Sequence, residues 1–455
     1  MFQRLFTSVL SAQVLFVALL IQFPHDCSGE NWGHWRGESG NGVSSVATPP
    51  TEWSDTKNVK WKVAVPGRGS GSPVIWEDNI FVVTAVKEGE QPEQPAPTAD
   101  EGNRPQGRRR RGGRRRGGPI PNLAFKLLCY DKSTGDLKWE KTATIVTPHE
   151  GTHSTNGYSS ASPCTDGEHV YAHFGSRGLY CYTLDGELKW QRDDLGKMQT
   201  RAGFGEGSSP VIHGDKIVVP WDHEGASALF ALDKSTGKTI WKTERDEPTC
   251  WATPLIVEHD GKHQVIMNGQ NFARSYDLET GDEIWKCGGQ TERPVACPVT
   301  QDGLVIVGSG HRGSFMGAFR LGGTGDIEET DDVVWTVDRD TPDIGSPILS
   351  GGRLYFYKGK AGILTCLDAA TGKPHFSSER LPGMKNQMIY ASPVAAGGHV
   401  FLTSRNGTTV VIRDSEQLEV VATNSVGETV DATPAPVGNE LFIRGEKHLF
   451  CIAAE

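Results

Sequence analysis

The residues of this chain that are best suited to chemistry lie in polar loops between apolar segments. They combine arginine, glutamate and histidine, which hold charged or polar ligands, with aromatic rings that can stack on a planar or sugar ligand. The nine candidates are Tyr158, Arg201, Glu206, Trp221, His223, Glu224, Trp251, Arg274 and Arg312. We predict that they form a ligand-binding site. The alternative is that the arginines and glutamates pair with each other and hold neighbouring elements in register.

Metal binding and catalysis are less well supported by the same loops. His149, His153, His223 and Glu224 are residue types that zinc accepts, but their spacing matches no recognised zinc motif. Glu206 and Glu224 are candidates for the carboxylate pair of a hydrolase, although a sequence does not give their separation. The sequence contains no G-x-S-x-G elbow, Walker loop or C-x-x-C-H haem motif. We therefore predict no catalytic residue and no metal site.

The elements that must position these loops repeat along the chain. DKSTGKTIW at 233–241 recurs at 131–139 and 277–285, in a shortened form at 185–190, and with a terminal Phe at 368–376. Each copy predicts a strand, a turn capped by Asp with Gly at a positive φ, and a second strand that ends in a large ring. We expect these rings to pack each repeat on its neighbour. The predicted docking rings are Trp61, Trp139, Trp190, Trp241, Trp285, Trp335 and Phe376.

A second marker counts the repeats. A small residue followed by Pro opens an apolar run at eight places, at Pro73, Pro163, Pro210, Pro254, Pro298, Pro347, Pro393 and Pro434. Repeats of roughly 45 residues with four short strands are typical of propeller blades. We predict an all-β, eight-bladed β-propeller of four-stranded antiparallel blades. The last repeat has room for only three strands, so residues 58–65 are expected to supply the fourth and close the ring.

Propeller geometry places the inter-blade loops and the loops between second and third strands on one rim, and we expect any site there. Besides the nine candidates, this rim receives Arg293, His311, Asp343 and Asp431. It also receives an insertion at residues 87–122, which is acidic and Pro-rich and then Arg-rich. That composition predicts disorder and contact with an anionic surface; the alternative is a solvated spacer.

The ends of the chain predict export. Residues 1–29 have the pattern of a signal peptide, with a signal anchor as the alternative, so we expect the periplasm, the cell envelope or secretion. Residues 30–57 are expected to form a clasp that lays Trp32, Trp35 and Trp53 over the propeller, which spans residues 58–455; a ligand-binding role for Trp32 and Trp35 is the alternative. The net charge of −10 gives the fold no general affinity for nucleic acid.

The cysteines do not form an obvious disulfide framework. Cys129, Cys181, Cys366 and Cys451 occupy equivalent positions in different repeats, where they are expected to be small buried hydrophobes too far apart to bridge. A bridge between Cys287 and Cys297 stays open as an alternative.

The recurring D-x-x-T-G-x-x-x-W motif resembles the PQQ-like repeat β-propellers over about residues 31–455, and the opening NWGHWRG resembles exported members from planctomycetes. The resemblance implies one of two functions. Quinoprotein alcohol dehydrogenases bind PQQ and calcium at the axis, whereas envelope lipoproteins of the BamB type are non-catalytic scaffolds. This chain lacks the adjacent Cys-Cys pair and the haem segment of the dehydrogenases, and also a lipoprotein lipobox.

From this resemblance we expect an exported, monomeric, non-catalytic binding or scaffold propeller without a transmembrane span. Its expected partner is an envelope protein, or a polysaccharide or peptide ligand. We expect no cofactor. A PQQ- and calcium-dependent dehydrogenase is the alternative, and a carbohydrate-active or carbohydrate-binding propeller is the second alternative.

Overall fold

The computed structural model describes residues 31–54, 56–89, 120–359 and 362–454. The predicted signal peptide and residues 90–119 of the predicted insertion lie outside the described residues. The described chain folds into β-strands with two short 3-10 helices, Gly175–Arg177 and Arg201–Gly203. No helix in this part of the chain has the length and apolarity needed to cross a bilayer.

The strands fall into eight sheets, which are the blades of a propeller. Strand β1 (Val59–Ala64) precedes blade 1, which contains β2 (Val74–Trp76), β3 (Asn79–Lys87), β4 (Leu123–Asp131) and β5 (Leu137–Val146). Blade 2 contains β6 (Cys164–Thr165), β7 (His169–His173), β8 (Leu179–Thr183) and β9 (Leu188–Arg192). Blade 3 contains β10 (Val211–His213), β11 (Lys216–Trp221), β12 (Ser227–Asp233) and β13 (Thr239–Arg245). Blade 4 contains β14 (Leu255–His259), β15 (Lys262–Met267), β16 (Ala273–Asp277) and β17 (Glu283–Cys287).

The second half of the ring follows the same plan. Blade 5 contains β18 (Val299–Gln301), β19 (Leu304–Ser309), β20 (Phe315–Arg320) and, after the short β21 (Gly325–Asp326), β22 (Val333–Val337). Blade 6 contains β23 (Ile348–Ser350), β24 (Arg353–Lys358), β25 (Ile363–Asp368) and β26 (Pro374–Arg380). Blade 7 contains β27 (Val394–Ala396), β28 (His399–Thr403), β29 (Thr408–Arg413) and β30 (Val420–Ser425). Blade 8 contains β31 (Ala435–Val437), β32 (Glu440–Arg444) and β33 (His448–Ala453), with β1 as its outer strand.

The predicted architecture is confirmed, including the closure by an N-terminal strand. Seven blades are four-stranded meanders in chain order, and in the eighth β1 pairs antiparallel with β33, with Trp61 opposite Cys451. An ion pair of 2.7 Å between Lys60 and Glu440 also crosses this seam. Because β1 covers the outer edge of β33, the first and last described strands belong to one sheet.

The repeated turn motif builds the seams between blades. In blade 1, Asp131 accepts hydrogen bonds from the backbone N–H groups of Ser133 and Thr134 at 2.9 and 3.0 Å. Gly135 follows with φ 77°, and a Cβ there would lie 2.8 Å from the ring of Trp61 in blade 8. The Trp61 indole Nε1 donates to the Lys132 carbonyl at 3.1 Å. The glycine therefore provides both the turn conformation and the surface on which the neighbouring ring lies.

This arrangement recurs at four further seams, whereas blade 6 has Phe376, which lacks an indole N–H, and β30 of blade 7 has no aromatic ring. The indole N–H groups of Trp139, Trp190, Trp241 and Trp335 donate to carbonyls of Leu184, Lys234, Leu278 and Ala369 in the next blade. Within the described residues the buried Trp285 Nε1 has no such partner. The turn of blade 5 is expanded, and its strand β21 pairs in parallel with β17, with Gly325 opposite Trp285. The expanded turn thus covers the outer edge of blade 4.

The packing of the seam rings accounts for the position of several cysteines. Cys129, Cys181 and Cys451 lie directly opposite Trp139, Trp190 and Trp61 on the adjacent strand, where a small side chain leaves room for the ring. All eight cysteines among the described residues are buried and free, so Cys287 and Cys297 are not bridged in this structure.

Residues 31–48 run across the propeller rather than around it. The backbone of Trp32 pairs with Ile75 in blade 1, the Asn41 side chain bonds the backbone of Thr300 in blade 5 at 2.8 and 3.0 Å, and Val43 pairs with Ala395 in blade 7. Trp32 is buried, whereas Trp35 reaches the axis, where it packs against Cys297. This segment therefore spans the axial channel.

Candidate functional site

The axis contains a cavity of about 450 Å³. Every blade contributes to its wall the small residue that precedes the marker proline and the residue two positions earlier. Trp35 also lines the cavity. Trp32 and Asn41, which flank Trp35 in its segment, pair with Ile75 and Thr300. These two partners lie three positions after the small residues of blades 1 and 5, farther from the inter-blade loops. Trp35 therefore forms the inner end of this axial cavity, and the inter-blade loops form its mouth.

The small residues form a closed ring, which we name the hydroxyl belt. Its members are Ser72, Ser162, Ser209, Thr253, Cys297, Ser346, Ser392 and Thr433, all buried. The backbone N–H of each donates to the side-chain oxygen or sulfur of the next, at 2.9 to 3.1 Å, and Thr433 donates back to Ser72. Cys297 supplies the one sulfur. The belt ties each blade to the next at the axis, as the tryptophans do at the periphery.

Within the described residues, none of the seven belt hydroxyls donates its own O–H to another protein group. Buried polar groups are almost always hydrogen-bonded, to water where no protein group is available. The seven O–H groups therefore require acceptors inside the axial cavity.

Beyond the belt, the wall of the cavity becomes irregular. Arg293 lies with its guanidinium carbon 5.3 Å from the centre of the Phe204 ring, and its Nη1 is 3.4 Å from His311 Nε2. Elsewhere in the wall, Tyr390 Oη is 3.0 Å from Thr155 Oγ1. Asp431 forms two hydrogen bonds with Arg405, at 2.8 and 3.3 Å. Burial raises the pKa of the Asp431 carboxyl, and Arg405 opposes that shift.

Of the nine candidates, only Trp251 lies in the wall of the axial cavity. Its indole Nε1 donates to the Gly205 carbonyl at 2.7 Å, so what it offers the cavity is ring surface. The other eight lie elsewhere in the rim loops and the blades that carry them, and their predicted role in ligand binding stays a prediction.

Several of these residues bond to partners outside the predicted set. Glu206 accepts hydrogen bonds from Arg177 and Ser176 in a buried cluster, and Arg177 lies over the ring of Tyr158 at 5.6 Å. Glu224 accepts a hydrogen bond from Thr249 Oγ1 at 2.9 Å. These contacts connect blade 2 to blade 3 and blade 3 to its neighbour.

The three candidate arginines also bond to residues outside the predicted set. Arg274 forms ion pairs with Asp246 and Glu247 and a third with Glu283 at 2.9 Å. Arg312 is exposed and pairs with Glu292 at 3.4 Å. The backbone N–H of Arg201 donates to Thr249 Oγ1 at 2.9 Å.

The remaining two candidates lie within blade 3. His223 Nδ1 accepts from the backbone N–H groups of Gln199 and Gly225 at 3.2 and 3.0 Å, and Trp221 is buried against Phe230. Both side chains therefore hold their own blade and the loop beside it.

The sequence also contains a pattern that predicts the hydroxyl belt, although none of its residues is among the nine candidates. The position before every marker proline is Ser, Thr or Cys, which points to a hydrogen-bonding role at each repeat as well as to small size. The sequence also places four further residues of the cavity wall in the rim loops: Arg293, His311, Asp343 and Asp431. Their local sequence does not distinguish them from loop residues that point outward.

The residues at the axis can be compared with the needs of a calcium-dependent quinone site. Calcium takes six to eight oxygen ligands, several of them from carboxylates. In the wall of the axial cavity the described carboxylates are Asp343 and Asp431; His311 Nδ1 is 3.6 Å from Asp343, and Arg405 pairs with Asp431. This donor set does not fit calcium. Elsewhere among the described residues, His149, Glu150 and Glu206 bring ligand atoms within 4.8 Å of one another, but Glu206 is already paired with Arg177.

A family model described as outer membrane protein assembly factor BamB matches residues 123–316 and 322–421. The chain belongs to this family of PQQ-like repeat propellers. Two curated relatives match shorter stretches. Outer membrane protein assembly factor BamB of Francisella salina is 23% identical over 125 residues, which are 25% of this chain and 22% of that protein. Quinoprotein alcohol dehydrogenase PedE of Pseudomonas putida is 30% identical over 140 residues, 30% of this chain and 18% of that protein.

Solved structures show the same fold at low sequence identity. BamB from Moraxella catarrhalis superposes with a TM-score of 0.51 at 14% identity, covering 72% of this chain and 91% of that chain. Quinohemoprotein alcohol dehydrogenase from Comamonas testosteroni superposes with a TM-score of 0.58 at 10% identity, covering 94% and 81%. At these identities the likeness establishes the fold alone, because one propeller fold supports different activities.

Proposed function

We propose that this chain is an exported, non-catalytic binding or scaffold propeller of the cell envelope that holds its ligand or partner at the mouth of the axial cavity. The observation that carries the proposal is the contrast within the cavity wall. Eight blades supply a regular belt, whereas the side chains beyond it, among them Arg293, Phe204, Trp251, Tyr390 and Asp431, differ in type from blade to blade. Unlike side chains gathered on a rigid scaffold are typical of a binding site.

Envelope location is proposed from the sequence and from the family. The first 29 residues have the pattern of a signal peptide, and the matching family model is described as an outer membrane protein assembly factor. The insertion lies in the sequence between β3 and β4, which end and begin on the rim that carries the mouth, and part of it is Arg-rich. Its positive charge would attract an anionic envelope surface toward the cavity.

Photo-crosslinking from the cavity tests the proposal. A photoreactive phenylalanine derivative replaces Tyr390, and in a matched protein it replaces Lys238, an exposed residue in a turn on the opposite rim. After irradiation in native envelope preparations, we expect a discrete adduct from position 390 and none from position 238. The same products from both positions, or none from 390, would show that the mouth is not the binding site.

A PQQ-dependent dehydrogenase is the second candidate, because the match to PedE reaches 30% identity. Purified protein is titrated with PQQ and calcium and assayed for dye-linked alcohol oxidation. The proposal predicts neither tight binding nor turnover. Tight binding accompanied by oxidation would replace it with an enzymatic function.

A further inference from the structure

We infer that the axial cavity binds the carboxylate of an acidic sugar, with Arg293 as the counter-ion and the hydroxyl belt as donors to the sugar oxygens. This inference rests on the proposed function, because it names the ligand class of the same cavity. It is carried by Arg293, by the belt hydroxyls and by the aromatic wall.

Arg293 is a cation without a carboxylate partner. Among the described residues no Asp or Glu oxygen pairs with it, whereas Arg405 is paired with Asp431. Its Nε is buried and has no hydrogen-bond partner in the described part of the chain. Its backbone has φ 56°, a conformation that costs a non-glycine residue energy and that clusters at functional sites. A guanidinium held in this way over an aromatic ring suits an incoming carboxylate.

The hydroxyl belt adds donors at the inner end of the same cavity. Each belt oxygen already accepts a backbone N–H, so its contribution to the cavity is chiefly its own O–H. A ring of donors favours a ligand with many oxygens and few N–H groups. A sugar acid fits this condition better than a peptide, whose amide N–H groups would require acceptors from the wall.

The wall between Arg293 and the belt suits the body of a sugar. Trp251 and Phe204 offer apolar ring surface, on which the C–H face of a pyranose can stack. Asp431 accepts two hydrogen bonds from Arg405 and retains lone pairs that hydroxyl groups can use. The second carboxylate of the wall, Asp343, lies 3.6 Å from His311 Nδ1. Arg293, the belt donors and the ring surfaces are the groups that suit a sugar acid.

The test uses the full-length mature protein and calorimetric titration with a galacturonic acid disaccharide. Its methyl ester keeps the same body without the charge, and a neutral galactose disaccharide removes the carboxyl group altogether. We expect the acid to bind at least ten-fold more tightly than the ester or the neutral sugar. We expect Arg293→Gln to remove that preference and Arg413→Gln to leave it unchanged, since Arg413 is exposed and paired with Glu419 far from the mouth. Melting curves establish that both variants are folded.

Three results would overturn the inference. They are equal binding of acid and ester, an acid preference that survives Arg293→Gln, and failure of the acid to bind. PQQ, which also carries carboxylates, is titrated in parallel, and tighter binding of PQQ than of the disaccharide would also contradict it. If crosslinking from position 390 succeeds while the sugar acid fails, the cavity is a binding site for another ligand, and the proposed function stands without this inference.

Discussion

The outer seams and the axis of this propeller solve the same problem in different ways. At five of the eight outer seams, a tryptophan of one blade lies on the turn glycine of the next and donates a hydrogen bond to that turn. At the axis, small hydroxyl residues form a belt, and the side chains beyond it differ in type from blade to blade. The comparison teaches that the seams hold the blades together, while the axis both joins the blades and leaves room for a ligand.

Removing β1 tests the closure of the ring and should have the largest effect. Deletion of residues 1–65 removes the outer strand of blade 8 and also the segment that spans the channel. The exposed edge of β33 should cause aggregation or loss of folding, as measured by size-exclusion chromatography and circular dichroism. A soluble, monomeric and equally stable truncated protein would show that closure contributes little.

The next largest effect should be the difference in stability lost when a tryptophan at a seam and a tryptophan at the axis are each replaced by alanine. Trp241 is 9% exposed and packs between blades, so Trp241→Ala should lower the free energy of unfolding by roughly 3–5 kcal/mol in denaturant titrations. Trp251→Ala removes a ring that faces the cavity and should cost clearly less. Equal losses would remove the distinction between seam and mouth.

A smaller effect is expected within the belt. Ser346→Ala leaves the buried N–H of Cys297 without its acceptor and should cost about 1–3 kcal/mol. Cys297→Ser keeps an acceptor for Thr253 and should change stability by less than about 1 kcal/mol. If both variants unfold at the wild-type denaturant concentration, the belt does not hold the blades.

The smallest effect should come from the insertion. Residues 89–121 are replaced by an Asn-Gly turn, because Glu88 N–H and Asn122 carbonyl are already hydrogen-bonded at 3.0 Å. Long surface loops cost little to close, so the melting temperature should stay within a few degrees, while salt-sensitive binding to anionic vesicles weakens. A large fall in melting temperature would mean that the insertion packs on the propeller.

The features that recur along the chain, such as the strands, turns and seam rings, could be predicted from the sequence. The contacts of single rim residues could not. Trp61 and the residues around it indicated closure because they complete a pattern that occurs several times. Trp251 was a candidate and does line the cavity, but Glu206 and Arg274 contact Arg177 and Asp246, which no local pattern links to them. Whether a rim residue such as Arg293 points to the axis depends on the path of one loop, here on a positive φ at that residue.

The pairing of β1 with β33 also sets the kinetics of the fold. The ion pair across this sheet joins residues 380 positions apart, so blade 8 combines strands from the two ends of the described chain. Contacts this distant in sequence slow folding, because loop closure must precede the gain from pairing. The same requirement acts in reverse, since no blade can peel from a free end. We therefore expect slow acquisition of the native state and an equally slow loss of it, so the half-life for unfolding should be a better measure of this protein's stability than its equilibrium free energy.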